Sequence, residues 1–217
     1  MVAQERIFVF GASGHAKVIM EAAEVAAIAK VAFLVDDDAS LWGGVVYGYP
    51  VVGGRESLLA EKTSRSIHAG IVGIGNNIAR MRIAAWLKES GIALVTLVHS
   101  NALLARGVTV GEGTVILAGV IANPDAAIGK NVIVNTGAVV EHDCVIGDGV
   151  HIAPGAVLCG TVSVGEGTLV GAGATVIPNV RIGRNVVVGA GATVVRDVPD
   201  DAVVVGTPAR ILRIGHK

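Results

Sequence analysis

The sequence predicts a two-part chain, a small α/β domain over residues 1–100 followed by a parallel β-helix. Three observations carry this. The front half alternates short apolar runs with longer alanine-rich stretches. Behind it, an aliphatic residue returns at every sixth position from Leu104 to Val194 without a slip. The 217-residue chain is also rich in Gly (30 residues) and poor in aromatics (3%), which suits stacked aliphatic layers with tight corners better than one irregular core.

In the front half, Ile7–Phe10 is a short apolar run ended by Gly11, a buried strand entering a turn. Ala16–Ala29 is apolar and alanine-rich, as a packed helix is. Val31–Val35 reads as the second strand, closed by Asp36-Asp37-Asp38. Val45–Val52, broken by Gly48 and Pro50, reads as a hairpin or edge piece. Ser66–Ile74 reads as a third buried strand ending at Gly75-Asn76-Asn77. Ile78–Ser90 reads as a second long helix with Gly91 in the stop position, and Ala93–Val98 as another strand. Such alternation implies a small Rossmann-like parallel sheet covered by helices.

In the back half, fifteen of the sixteen frame positions are Leu, Ile or Val, and Ala122 is the exception. A second period of 18 residues links Val110-Gly111, Ile128-Gly129, Ile146-Gly147, Val164-Gly165 and Ile182-Gly183. A hexad with one inward aliphatic makes a short flat strand and a corner, and three hexads make a triangular coil. Successive coils then stack as parallel strands ~4.8 Å apart. Gly and Asn supply the corner conformations that other residues resist, and hexapeptide repeats are the signature of such a helix. About five coils are expected over residues 101–196. The segment at 197–217 leaves the frame and reads as a cap over the last coil's unpaired strand edges.

Composition narrows the function classes. With 17 basic and 18 acidic residues, the net charge of −1 gives no reason to expect nucleic-acid binding. At 52% hydrophobic and 16% charged residues, general disorder is excluded. No run approaches the ~18 apolar residues of a membrane span, and the start, MVAQERIFVFGASG, lacks a secretory pattern. Cys144 and Cys159 are too few for a disulfide framework and fit free thiols in the cytoplasm. The high hydrophobicity must be buried in the fold or between copies of the chain.

Several residues break the structural pattern and so invite a chemical reading. Glu141-His142-Asp143 puts charge in a hexad where small or aliphatic residues are the rule. His can take a proton near neutral pH, and an adjacent carboxylate can hold its tautomer; an ordinary His on a solvated corner is the plain alternative. His151 closes the hexad IGDGVH, and Asn135 follows an interior Val where corner Asn is common. Gly11-Ala12-Ser13-Gly14-His15 lies between a strand and a helix, where backbone N–H groups attract phosphate. It is not a complete G-x-G-x-x-G, so a plain turn is its alternative. Asp36, 25 residues after Gly11, suits a ribose or base contact, while Asp37 and Asp38 read equally as solvated. Redox chemistry on a dinucleotide is disfavoured, because the repeat half offers no hydride-transfer site. The six histidines show no metal-ligand spacing, so no metal site is expected.

The unbroken [LIV]-G-x-x-x-x repeat resembles the left-handed β-helix of hexapeptide acyltransferases. With GASGHAK at 11–17, FLVDD at 33–37, IGNN at 74–77 and NTGAVVEHDCVIGDGVH at 135–151, the chain resembles the branch that N-acetylates nucleotide-linked 4-amino-sugars. Bacillosamine- and perosamine-type N-acetyltransferases belong there, and sialic acid O-acetyltransferases are close relatives. The resemblance implies a left-handed coil, a homotrimer with each site between two β-helices, and acetyl-CoA as co-substrate. It implies His142 as general base with Asp143 or Glu141 as its orienter, and His151 at the thioester carbonyl. Nucleotide-sugar contacts are implied at Gly11, Ser13, Gly14, His15, Asp36, Asp37, Asn76 and Asn135. Coenzyme A contacts are implied at Gly160, Ala172 and Ala190. The rivals are sialic acid-type O-acetylation, a non-catalytic sugar-nucleotide scaffold, and a zinc carbonic anhydrase on the same fold.

Overall fold

The structure, a computed structural model, describes residues 5–27, 29–65 and 67–215. It divides into two compact units that meet at Ser100/Asn101.

In the first unit, β1 (Glu5–Phe10), α1 (Gly14–Ala26) and β2 (Ala29–Val35) follow one another. A hairpin comes next, β3 (Val45–Val46) and β4 (Tyr49–Pro50), turning through positive φ at Tyr47 and Gly48. Then come α2 (Arg55–Arg65), β5 (Ala69–Val72), α3 (Asn77–Glu89), β6 (Ala93–Leu94) and β7 (Leu97–Val98). The sheet is parallel, in the order β2-β1-β5-β6. Phe8, Phe10, Phe33, Leu58, Ile83 and Leu87 pack together in its core.

Four sequence expectations change here. The first helix ends at Ala26, not Ala29, because Ala27 adopts a left-handed φ of 52° and Ala29 pairs with Glu5 in the sheet. Ile28, inside that expected helix, and Ser66, at the start of the expected third strand, lie outside the described residues. That strand is confined to Ala69–Val72. Ala93–Val98 is two short strands rather than one. The helix over Arg55–Arg65 went unread, because its charged, weakly apolar sequence (RESLLAEKTSR) hides the single stripe that includes buried Leu58.

In the second unit, two-residue strands β8 (Leu103–Leu104) to β23 (Thr193–Val194) each begin six residues after the last. They form three parallel faces. The first holds β10, β13, β16, β19 and β22; the second β8, β11, β14, β17, β20 and β23; the third β9, β12, β15, β18 and β21. Pairing runs at an offset of 18, as in Ile133↔His151 and Val139↔Val157. The second residue of each strand points inward, and from Ile116 to Val194 all are buried. From Gly107 to Gly191 the backbone passes through positive φ at every sixth residue, and six of these fifteen corners are not Gly. Asn and Asp tolerate that conformation, but Thr161, at φ 59°, is β-branched and strained there.

The frame outlasts Val194. Val198 bridges Ile182 on the third face, and β24 (Ala202–Val205) pairs in parallel with β22 on the first. Only β25 (Arg210–Ile214) turns back antiparallel. The expected cap therefore supplies a further irregular rung, and the solenoid has about six turns rather than five.

Candidate functional site

His142 follows β14 and sits on the corner between the second and third faces. Its Nδ1 lies 2.8 Å from Asp143 Oδ2, and both side chains are more than half exposed. A carboxylate can only accept, so Nδ1 carries a proton and Nε2 presents a lone pair in the neutral ring. Nε2 has no hydrogen-bond partner among the described residues. Glu141, which sequence reasoning kept as an alternative orienter, makes no side-chain hydrogen bond among the described residues. Asp143 is the left-handed corner residue of this coil, with φ 58°, which turns its short side chain back toward the preceding ring.

The coil beneath supports this pair. Gly160 is buried against the imidazole: a Cβ built there would meet Nε2 at 2.5 Å and Cε1 at 2.6 Å. Thr161 donates its backbone N–H to the His142 carbonyl at 2.9 Å. Its hydroxyl lies 2.6 Å from the Gly160 carbonyl and 2.7 Å from Asn179 Oδ1. Neither Gly160's clearing role nor strained Thr161 was legible as such in the sequence. The signal was their offset of 18 residues from His142 and Asp143.

His151 opens β16 on the first face and points outward, half-buried. Its Nε2 lies 3.1 Å from Asn135 Nδ2, while Asn135 Oδ1 accepts the Thr136 N–H at 2.8 Å. On a three-sided coil, the corner between faces two and three stands opposite face one. His142 and His151 of one chain therefore face away from each other across the solenoid. The small residues expected to line a coenzyme divide the same way. Gly160 lies with His142, whereas exposed Ala172 and Ala190 stack on the corner beside the first face.

The first unit carries the second cluster. Ser13 precedes α1 without a side-chain cap, and no acidic residue occupies the first turn, a setting that favours an anion at the helix start. Ser13 and Gly14 are exposed, and a Cβ at Gly14 would meet open space. Gly11 is different: it is buried, donates to the Val35 carbonyl at 2.7 Å, and at φ 119° has no room for a Cβ beside the Gly73 carbonyl. It shapes the turn and does not present a surface to a ligand. Asp36 accepts from the N–H groups of Ala12 (2.8 Å) and Asp38 (2.9 Å), tying the turn to the end of β2. Asn76 accepts the Ala79 N–H as the cap of α3. Asp37 pairs with Arg55 at 2.9 Å, and Arg55 lies 5.1 Å from the Trp86 ring centre. Phe10, Ile74, Ala79 and Ile83 with Asp36, Asp37, Arg55 and Arg82 line a cavity of about 310 Å³.

Behind the turn lies a charge that sequence reasoning missed. Arg80 is 1% exposed and donates to the carbonyls of Ile74 and Gly75 and to Asn77 Oδ1. Burial lowers its pKa to about 10, still charged at neutral pH. Burial, with Arg80 nearby, lowers His15 to about 4, so its imidazole is neutral. The signal for Arg80 was its place in the buried stripe 80-83-84-87 of α3, where an apolar residue is the rule.

Cys144 donates to the Cys159 carbonyl at 3.2 Å, and burial pushes its thiol up to about 11, which leaves it inert as a nucleophile. Among the described residues there is no group of three or more His, Cys, Asp or Glu able to hold a metal ion. No helix among them is long and apolar enough to cross a membrane.

Residues 6–87 match the PglD N-terminal domain family, and residues 125–160 and 161–196 match the bacterial transferase hexapeptide (six repeats) family. Over 114 residues the chain is 38% identical to UDP-N-acetylbacillosamine N-acetyltransferase of Bacillus subtilis (strain 168). That match covers 52% of each chain, about half the relative's length. PerB from Caulobacter crescentus, solved in complex with CoA and GDP-perosamine, has a TM-score of 0.91 at 40% identity, covering 98% of this chain and 99% of that one. The acetyltransferase domain of PglB from Neisseria gonorrhoeae, solved with acetyl coenzyme A, has a TM-score of 0.87 at 35% identity, covering 97% and 100%.

Proposed function

Because the chain belongs to the PglD-type, hexapeptide-repeat family of sugar N-acetyltransferases, we propose that it moves the acetyl group of acetyl-CoA to the 4-amine of a UDP- or GDP-linked 4-amino-4,6-dideoxysugar. The observation that carries this is the His142 imidazole, more than half exposed, with its Nε2 lone pair unpartnered among the described residues and Asp143 at Nδ1. The amine nitrogen attacks the thioester carbon, and His142 Nε2 takes the proton that nitrogen sheds. As the carbon–sulfur bond breaks, His142 returns the proton to the coenzyme A sulfur. Asp143 orients the ring and supports the charge it carries between the two transfers. His151 engages the thioester oxygen, where negative charge develops. The inert Cys144 thiol supports direct attack without an acyl-enzyme.

The opposed placement of His142 and His151 supports a site built between two copies, and hence a closed ring such as the homotrimer. Leu103 and Ile121, 57% and 39% exposed on the second face, form with Val139 and Val157 an aliphatic stripe that another copy would cover. The first unit holds the nucleotide, with the diphosphate at the start of α1 and the base in the cavity beside Asp37 and Arg55. Two free thiols and a co-substrate of the cell interior favour a cytoplasmic setting.

The test is coenzyme A release with UDP- and GDP-4-amino-4,6-dideoxysugars against matched hydroxyl acceptors. Turnover with an amine, lost in His142→Asn, is expected. Turnover with hydroxyl acceptors alone would favour O-acetylation. Nucleotide-sugar binding with no coenzyme A release under any pairing would make the chain a scaffold.

A further inference from the structure

The Asn135 amide has only one possible orientation. A backbone N–H can only donate, so the atom 2.8 Å from Thr136 N is the Asn135 oxygen. The atom facing His151 is then the NH2 group, which can only donate. His151 Nε2, 3.1 Å away, must accept, and in the neutral ring the proton sits on Nδ1. A second proton on this ring would set two donors face to face, with no lone pair between them.

We infer that Asn135 is a positioning residue that fixes His151 as the neutral, Nδ1–H tautomer, so that any hydrogen bond His151 gives to the thioester oxygen comes from Nδ1. The Nδ1 bond to a thioester rests on the proposed acetyl transfer; the tautomer does not. The two histidines are thereby given the same tautomer by opposite partners. Asp143, an acceptor at Nδ1, leaves His142 able to take a proton at Nε2. Asn135, a donor at Nε2, opposes a proton there. One ring is built to change its proton count and the other to keep it, which is the separation an acyl transfer needs from a base and a carbonyl-polarising group. The family resemblance implies Asn135 as a sugar contact; in the structure its amide faces His151.

Asn135→Asp separates these roles, because an Asp oxygen still accepts the Thr136 N–H while the other now accepts from His151. Long-range proton–nitrogen NMR of the 15N-labelled full chain, without ligands, reads the tautomer directly. Wild type is expected to show His151 protonated at Nδ1, and Asn135→Asp to move that proton to Nε2. The kcat of Asn135→Asp should fall by about a hundredfold, the order of losing one donor to a developing oxyanion, with little change in KM for the nucleotide sugar. In a His151→Ala background the same substitution should have no further effect on kcat. A wild-type spectrum with Nε2 protonated would overturn the inference. So would an Asn135→Asp effect confined to the sugar KM, or one that persists without His151. If the tautomer is as stated and no amino sugar is turned over, the proposed reaction fails and the positioning role stands.

Discussion

His142 lies over Gly160, one coil further along, with its Nε2 2.5 Å from where a Cβ on that glycine would stand. No real Cβ contact is that close, so the imidazole keeps its pose only because residue 160 has no side chain. No positive φ adds a backbone requirement at this position. Gly160→Ala should therefore fold normally while the exposed ring swings aside. The expected result is a kcat loss on the order of a hundredfold, typical of a misplaced reacting group, with an unchanged melting temperature. If acetyl-CoA KM rose while kcat held, residue 160 would be a coenzyme contact instead.

Asp143 and Glu141 flank the same imidazole, but only Asp143 reaches it. Asp143→Asn should lower kcat by about a hundredfold or more, because an amide can present its donor to Nδ1 and favour the wrong tautomer. Glu141→Gln should leave kcat nearly unchanged. Initial rates at saturating substrates decide between them, and the reverse ranking would return the orienting role to Glu141.

The opposition of His142 and His151 across one coil predicts complementation between inactive chains. His142→Ala and His151→Ala should each be nearly inactive alone. Co-refolded at equal concentration, about a quarter of the intersubunit sites would pair an intact His142 with an intact His151. Recovered activity is expected in the mixture. If none appears although mass spectrometry shows mixed oligomers, both histidines act within one chain or not at all.

His15 makes the first unit acid-sensitive. Its folded pKa is near 4, below the ordinary 6.5, so an unfolded chain binds a proton that the folded chain refuses between those values. Stability is full above pH 6.5 and falls as the pH drops toward 4, by up to about 3 kcal/mol. Melting temperatures from pH 8 to 4 should fall more steeply in wild type than in His15→Asn. Parallel curves would show that His15 is not the titrating group.

Asp36 joins the glycine turn to the end of β2 through two backbone N–H groups. Asp36→Ala should cost about 1–3 kcal/mol by leaving them without their acceptor. It should also weaken nucleotide binding by loosening the turn. Thermal melts and calorimetric titration with UDP and GDP check the two effects, and normal stability with lost binding would make Asp36 a direct ligand contact.

How much could be read in advance follows from how local each signal is. The solenoid was legible to the residue, because one aliphatic per hexad is a purely sequential requirement and every expected frame position from Ile116 onward is buried. His142 was legible as a charge in a corner hexad and His151 only through the family resemblance, since neither occupies a frame position. Asn135's contact with His151 was not, since it spans 16 residues and depends on which way an amide is turned. Arg80 escaped because a charge within an apolar stripe looks like an error until burial shows carbonyls waiting for it. The helix at Arg55–Arg65 and the rung at Ala202–Val205 escaped because neither keeps a clean period.

The six-residue spacing of the left-handed corners has a further consequence, for how such a chain can change length. Adding one residue would turn every later aliphatic outward. Adding six would restore the interior but carry each later residue round to the next side, moving His151 off the side opposite His142. Only 18 added residues return every side chain to its own side. Between His142 and His151, this chain can tolerate exchanges of residues but no added length short of a whole 18-residue coil.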